Sequence, residues 1–184
     1  TLPLLHGPIS VLGPGTGLGV AQLIGSQSHG WHAVETEGGH VGFSPVGAEE
    51  RAISAWLTAQ HGRPSPERLL CGKGLSEIDA VLRGASAVLP AQMPQPGDAS
   101  LLNPALRDPA EIVAAALEGH DQAARRTLAR FCSVLGSVAG DCALIHGART
   151  VVIAGGIVPR FIPFLRASAF RERFLAKGRF AAYL

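Results

Sequence analysis

Two glycine-softened clusters carry the residues of this chain that could do chemistry. The first is Gly13-Pro14-Gly15-Thr16-Gly17-Leu18-Gly19, and about twenty residues on comes Glu37-Gly38-Gly39-His40. A glycine-dense turn between two apolar runs lets backbone N–H groups approach a bulky anion, and Thr16 adds a hydroxyl; nests of this kind bind phosphates. An ordinary glycine-rich hairpin explains the first motif about as well. It is not a Walker A loop, because no Lys-Ser or Lys-Thr follows. Nor is it G-x-G-x-x-G, because Leu18 holds the sixth position from Gly13.

In the second cluster the Gly38-Gly39 pair allows Glu37 and His40 to converge on one polar ligand. Carboxylate oxygens accept hydrogen bonds and an imidazole donates or accepts, which suits the hydroxyls of a sugar. A metal pair lacks a third His or Cys at ligand spacing, so no metal is expected. Glu67, near a helix start, is explained by the helix dipole alone. Gly155-Gly156, after a strand, could admit a nucleotide base or ribose against the backbone. The remaining histidines read as turn, loop or helix-end residues.

The elements that must hold these clusters are legible from periodicity. Ile9 to Leu12, Leu18 to Ile24 and Trp31 to Val34 read as short strands joined by tight turns, an antiparallel meander. A helix follows from about Gly47 to His61, with Ala52, Ile53, Trp56 and Leu57 on one face. Ser65 and Asp108 stand before prolines as N-caps, and Asp108 has Glu111 at the third helical position. Leu75, Ile78, Val81 and Leu82 mark another short helix. The segment from Gly84 to Arg107, with four prolines, reads as a surface loop.

Asp121 to His146 predicts one long helix, roughly 39 Å at 1.5 Å per residue. Ala124, Leu128, Phe131, Leu135, Val138, Cys142 and Ile145 form its apolar stripe. Thr150 to Ala154 then reads as a β-branched strand, and Pro159 to Ala167 as a helix. Strands, then helices, then a strand–Gly-Gly–helix unit predict a mixed α/β (α+β) domain.

The chain has 184 residues, 47% hydrophobic and 16% charged, with a net charge of +2. It is long enough for one well-buried domain. The weak charge and the lack of a basic run argue against nucleic acid or an anionic membrane as partner. No apolar run approaches the roughly 20 residues of a membrane span, and the N-terminus lacks the pattern of a secretory signal. A cytoplasmic location is expected. Cys71, Cys132 and Cys142 lie far apart without a C-x-x-C pair, so free thiols are expected rather than a zinc site or disulfides. The chain opens on Thr1 and stops shortly after a predicted helix, which points to a piece of a longer protein.

Four segments in order, Gly13 to Val20, Glu37-Gly38-Gly39-His40-Val41-Gly42-Phe43, Pro66-Glu67-Arg68-Leu69-Leu70-Cys71-Gly72 and Ile153 to Phe161, closely resemble the bacterial ATP-dependent glucokinases. The likeness runs through nearly the whole chain, including the helix around Phe131-Cys132 and the tail Gly178-Arg179-Phe180. It implies an actin-like, ribonuclease-H-like ATPase fold of two domains, of which residues 1–184 resemble the larger, C-terminal one.

By the resemblance, Glu37, Gly38, His40 and Glu67 bind glucose. Gly13, Gly15, Thr16, Gly17 and Gly19 form the second phosphate loop, and Gly155 and Gly156 lie in the adenosine motif. The implied reaction passes the γ-phosphate of ATP, used with Mg2+, to the 6-hydroxyl of glucose, giving glucose 6-phosphate for glycolysis. A homodimer is the implied assembly.

The family's first phosphate loop and the Asn-Asp pair holding its catalytic base are absent, so no catalytic residue is assigned here. The isolated chain is expected to lack turnover. Lys73 stands where the family often has Pro and is expected to tune the loop without changing chemistry. The zinc-binding Cys cluster of the related repressor–kinase branch is also absent, which points to the glucokinase branch proper. A non-catalytic sugar-binding or regulatory domain is the alternative.

Overall fold

A computed structural model describes residues 7–84 and 105–184. Nearly all of the expected proline-rich loop, and Thr1 to His6, lie outside the described residues.

Three strands form the predicted meander: β1 (Ile9–Pro14), β2 (Leu18–Ser26) and β3 (Gly30–Thr36). β1 pairs antiparallel with β2, with Leu12 opposite Val20 and Pro14 opposite Leu18, and β2 pairs antiparallel with β3. Helices α1 (Gly47–His61), α2 (Pro66–Leu69), α3 (Gly72–Leu82), α4 (Pro109–Glu118) and α5 (Gln122–His146) follow. The chain then returns as β4 (Thr150–Ile153), parallel to β1 with Leu12 opposite Ile153, completing the order β3-β2-β1-β4. A 3-10 turn at Val158–Phe161 leads into α6 (Ile162–Ala167) and α7 (Phe170–Leu175).

Asp108 and Asp121 cap α4 and α5 through side-chain oxygens that accept from Ala110 and Glu111, and from Ala124. Ser65 is the N-cap of α2, but its hydroxyl makes no capping bond, and that helix is only four residues long. The helix expected over Pro159 to Ala167 begins as a 3-10 turn.

The face of the sheet that carries Ser10, Leu12, Val20 and Gln22, with Val151 and Ile153 of β4, packs on α5. Ser10 Oγ donates to the carbonyl of Cys142 (3.3 Å) and lies 2.8 Å from His146 Nδ1, while Gln22 Nε2 donates to the carbonyl of His146 (3.0 Å). The opposite face, with Val11, Gly13, Gly19, Ala21 and Glu35, floors a cleft.

α5 is apolar and long enough, by composition, to cross a membrane. Its placement explains why: it is the hub of the core, and Leu128, Phe131 and Leu135 are wholly buried among α3, α4 and α7. Phe131 meets Phe161 edge to face at 6.1 Å. Two positions depart from the expected stripes. Ile145 is 74% exposed because it lies in the last turn of α5, and Ala52 on α1 is exposed while Glu50 takes a buried place.

Ion pairs lock the helices together, the buried Glu50 and Asp79 carboxylates being matched by guanidinium, as burial of charge demands. Glu50 accepts from Arg130 (2.9 Å) and Arg173 (2.7 Å), joining α1, α5 and α7. Asp79 on α3 accepts from Arg83 and Arg107, and Arg107 also reaches Asp121 at the start of α5. Cys71, Cys132 and Cys142 are free and buried, as expected. Burial pushes the Cys132 thiol up to about 12 and the Cys142 thiol to about 11.

Candidate functional site

The turn between β1 and β2 is closed by Gly15 N donating to Gly17 O (2.8 Å). It stands over the edge of a cleft of about 550 Å³ lined by Gly13, Gly15, Thr16, Gly17 and Gly19, together with Glu37 and Glu67. Residues read as an anion nest and residues read as a hydroxyl clamp therefore share one cavity.

The clamp is built at the end of β3. Thr36 Oγ1 donates to Val20 O (2.8 Å) and accepts from Gly38 N (3.2 Å), folding the chain into the 3-10 turn Gly38–His40. Gly39 allows the turn to lie against β2, since a Cβ there would stand 2.4 Å from Leu18 O. Arg63 Nη1 donates to His40 O (3.0 Å) and pins the turn from the other side. His40 Nε2 then sits 3.8 Å from Glu37 Oε2 and 3.5 Å from Glu67 Oε1.

These three side chains are open to solvent to different degrees: 91% for Glu37, 57% for His40 and 27% for Glu67. Such a set offers four carboxylate oxygens and one ring nitrogen to hydroxyl donors while staying accessible to a ligand. Gly38 faces away, into an apolar cavity of about 350 Å³ with Val41, Phe43, Val138 and Ile145.

A second cleft, about 500 Å³, opens on the other side of Gly15 and Thr16. Gly156 lines it with Lys73, Asp108, Ile157 and Arg160. Gly155 has a different role. Its φ of +81° and its contact with the first turn, where a Cβ would stand 2.2 Å from Pro14 O, make it a buttress beneath that turn. Ala154 N donates to Leu12 O (2.7 Å), fixing this junction to β1.

The structure thus brings together Gly13, Gly15, Thr16, Gly17, Gly19, Glu37, His40 and Glu67. Gly156 lies across the turn in the second cleft, and Gly155 and Gly38 support from behind. Sequence reasoning missed Arg63, and it gave Lys73 no chemistry although it lines the second cleft. Arg160 falls inside the Ile153 to Phe161 segment, where sequence gives it no role of its own. Nothing in local spacing marks them, because each acts across segments far apart in the chain. The helix-dipole account of Glu67 was also incomplete: its Oε2 accepts from Leu18 N at 3.1 Å.

Comparison with known proteins decides the family. The glucokinase family model matches residues 4–184. The chain belongs to the glucokinase family. It is 44% identical to the glucokinase of Chromohalobacter salexigens over 174 residues, 94% of this chain and 50% of that one. With the glucokinase of Cupriavidus metallidurans it shares 46% identity over 180 residues, 96% of this chain and 49% of the relative. The chain therefore spans about half the length of the curated relatives it matches.

Among solved structures, the glucokinase of an Antarctic psychrotroph aligns with a TM-score of 0.79 at 31% identity, covering 97% of this chain and 51% of that one. A ROK family glucokinase from Streptomyces griseus, in complex with glucose and AMPPNP, shares the fold with a TM-score of 0.57 at 19% identity, covering 94% of this chain and 53% of that one. The mixed sheet with packed helices is the actin-like ATPase fold of these sugar kinases.

Proposed function

We propose that this chain is the large, C-terminal domain of an ATP-dependent glucokinase that transfers the γ-phosphate of ATP to the 6-hydroxyl of glucose. The observation that carries the proposal is that Glu37 and Glu67 share one cleft with Gly15-Thr16-Gly17, with His40 within 3.8 Å of both carboxylates, in a chain of the glucokinase family. The glucose and AMPPNP held by the Streptomyces griseus relative support the same pairing of ligands.

Phosphoryl transfer asks a protein chiefly for in-line positioning and charge stabilisation. Glu37 and Glu67 accept hydrogen bonds from sugar hydroxyls and His40 donates or accepts one, and each buried hydroxyl then keeps a partner. The N–H groups of Thr16 and Gly17 and the Thr16 hydroxyl face the transferring phosphates, the Gly15 N–H being used to close the turn. The second cleft takes the nucleoside part, with Gly156 admitting it against the backbone and Lys73 and Arg160 supplying cations. Mg2+ enters with ATP as the substrate complex. The base for the attacking hydroxyl comes, in this reading, from the other half of the family-length polypeptide, and the intact protein is a cytoplasmic homodimer.

A coupled assay for glucose 6-phosphate on the complete encoded polypeptide tests the proposal, with the 184-residue chain alone run in parallel. The intact protein should turn over glucose with ATP and the isolated chain should not. Glucose binding without turnover by the intact protein would make it a sugar sensor instead.

A further inference from the structure

Glu67 touches both halves of the cleft at once. One carboxylate oxygen, Oε2, accepts from Leu18 N at 3.1 Å, directly after the Gly15-Thr16-Gly17 turn. The other, Oε1, lies 3.5 Å from His40 Nε2 in the clamp. The fit on the loop side is tight: a Cβ on Gly17 would stand 2.6 Å from Oε2 and 3.3 Å from the carboxyl carbon. Five residues further on, Gly72 N donates to Gly15 O at 3.0 Å. The segment from Glu67 to Gly72 therefore holds the turn at both of its ends, by one side-chain bond and one backbone bond.

We infer that Glu67 is the positioning residue that couples the sugar site to the phosphate loop. This rests on the reading of the cleft as a site for glucose and ATP. A sugar hydroxyl bonded to the Glu67 carboxylate fixes its rotation, and the same rotation sets Oε2 against Leu18 N and so the aim of the loop N–H groups. The coupling runs both ways, as linkage requires of any two ligands that bias one element. Gly17 is needed because a side chain there displaces the carboxylate from both partners.

The test is a titration of glucose, without nucleotide, into the complete encoded polypeptide and its Gly17→Ala variant. The inference predicts that this phosphate-loop substitution raises the glucose Kd at least tenfold. In the Gly17→Ala/Glu67→Gln double variant the loss should not exceed that of Glu67→Gln alone. A Gly17→Ala Kd within twofold of the parent, or losses that multiply in the double variant, overturns the coupling.

Should Gly17→Ala fail to fold, Glu67→Gln supplies the reciprocal readout. At saturating glucose its KM for ATP should rise at least fivefold, and an unchanged KM overturns the inference. A parent polypeptide that binds no glucose overturns the glucokinase reading itself, whereas parental binding with unaltered variants overturns only the coupling.

Discussion

Gly39→Ala offers the sharpest geometric perturbation of the clamp. A Cβ at that position would stand 2.4 Å from Leu18 O and 3.3 Å from Leu18 Cβ, whereas ordinary contact begins at 3.4 Å. The obstacle is a strand carbonyl, not a flexible side-chain end, so the turn must retreat by about 1 Å. His40 and Glu37 move with it, while Glu67, on another element, does not. A misplacement of about 1 Å in positioning groups costs on the order of 10²-fold in rate, equivalent to about 2.7 kcal/mol of transition-state stabilisation.

The assay is steady-state phosphorylation of glucose by the complete polypeptide, read as kcat/KM, with circular dichroism to verify folding. Gly42→Ala is the control, because a Cβ there meets only Arg63 Nη2 at 3.7 Å; it should cost less than about threefold, in keeping with ordinary van der Waals contact. A folded Gly39→Ala variant within threefold of the parent would refute the argument that this close approach sets the clamp.

Three further outcomes follow from the packing and the charges. Gly136→Ala places a Cβ 2.2 Å from Phe170 O, where α7 crosses α5. Overpacking of about 1–3 kcal/mol, less about 1 kcal/mol of helix propensity gained, should lower the urea-unfolding free energy by up to about 2 kcal/mol, with the backbone obstacle favouring the upper end; an unchanged midpoint would show that α7 readily gives way. Glu50→Ala leaves Arg173 without its carboxylate, and should cost about 3 kcal/mol, the low end for a broken buried pair because Arg130 keeps Glu49.

Burial alone would push the Glu50 and Asp79 carboxyls up, but Arg173, the Val46 N–H and Arg130 for Glu50, and Arg107 and Arg83 for Asp79, outweigh it and hold both below the usual range. Their stabilisation is therefore full above the unfolded-state carboxyl pKa of about 4 and is lost as pH falls through the folded values. Burial also depresses His146, so part of the stability should go as pH drops below about 6.5. Denaturation midpoints measured from pH 7 to 3 should fall in both windows, and a flat profile above pH 5 would remove His146 from the account.

The meander and the long helix were legible because each rests on local periodicity. β1, β2 and β3 alternate between tight turns, and α5 ends within one residue of expectation since Asp121 and Gly147 cap it. Pairing of β4 with β1 was not legible: Thr150 meets Ile9 only after α1 to α5 have intervened. Gly136 and Gly140 are interruptions in an apolar pattern until α7 is seen to press its backbone on them. In the site, Glu37 and His40 announce themselves by proximity around two glycines. The anchoring of Glu67 on Leu18 N spans 49 positions, and the grip of Arg63 on His40 O spans 23. Contacts of that kind are products of the fold, which is why the family's ordered motifs carried the site further than spacing did.

The central claim is that the Glu37–His40–Glu67 clamp and the Gly15-Thr16-Gly17 loop serve one reaction. Its most direct test is the rate of glucose 6-phosphate formation from ATP and glucose by the complete encoded polypeptide and by its Glu67→Gln variant. The account predicts clear turnover by the parent and a loss in kcat/KM on the order of 10²-fold in the variant, as for removal of a hydrogen-bonding group at the transition state. Absence of ATP-dependent glucose phosphorylation by the parent, or an undiminished Glu67→Gln variant, would contradict it.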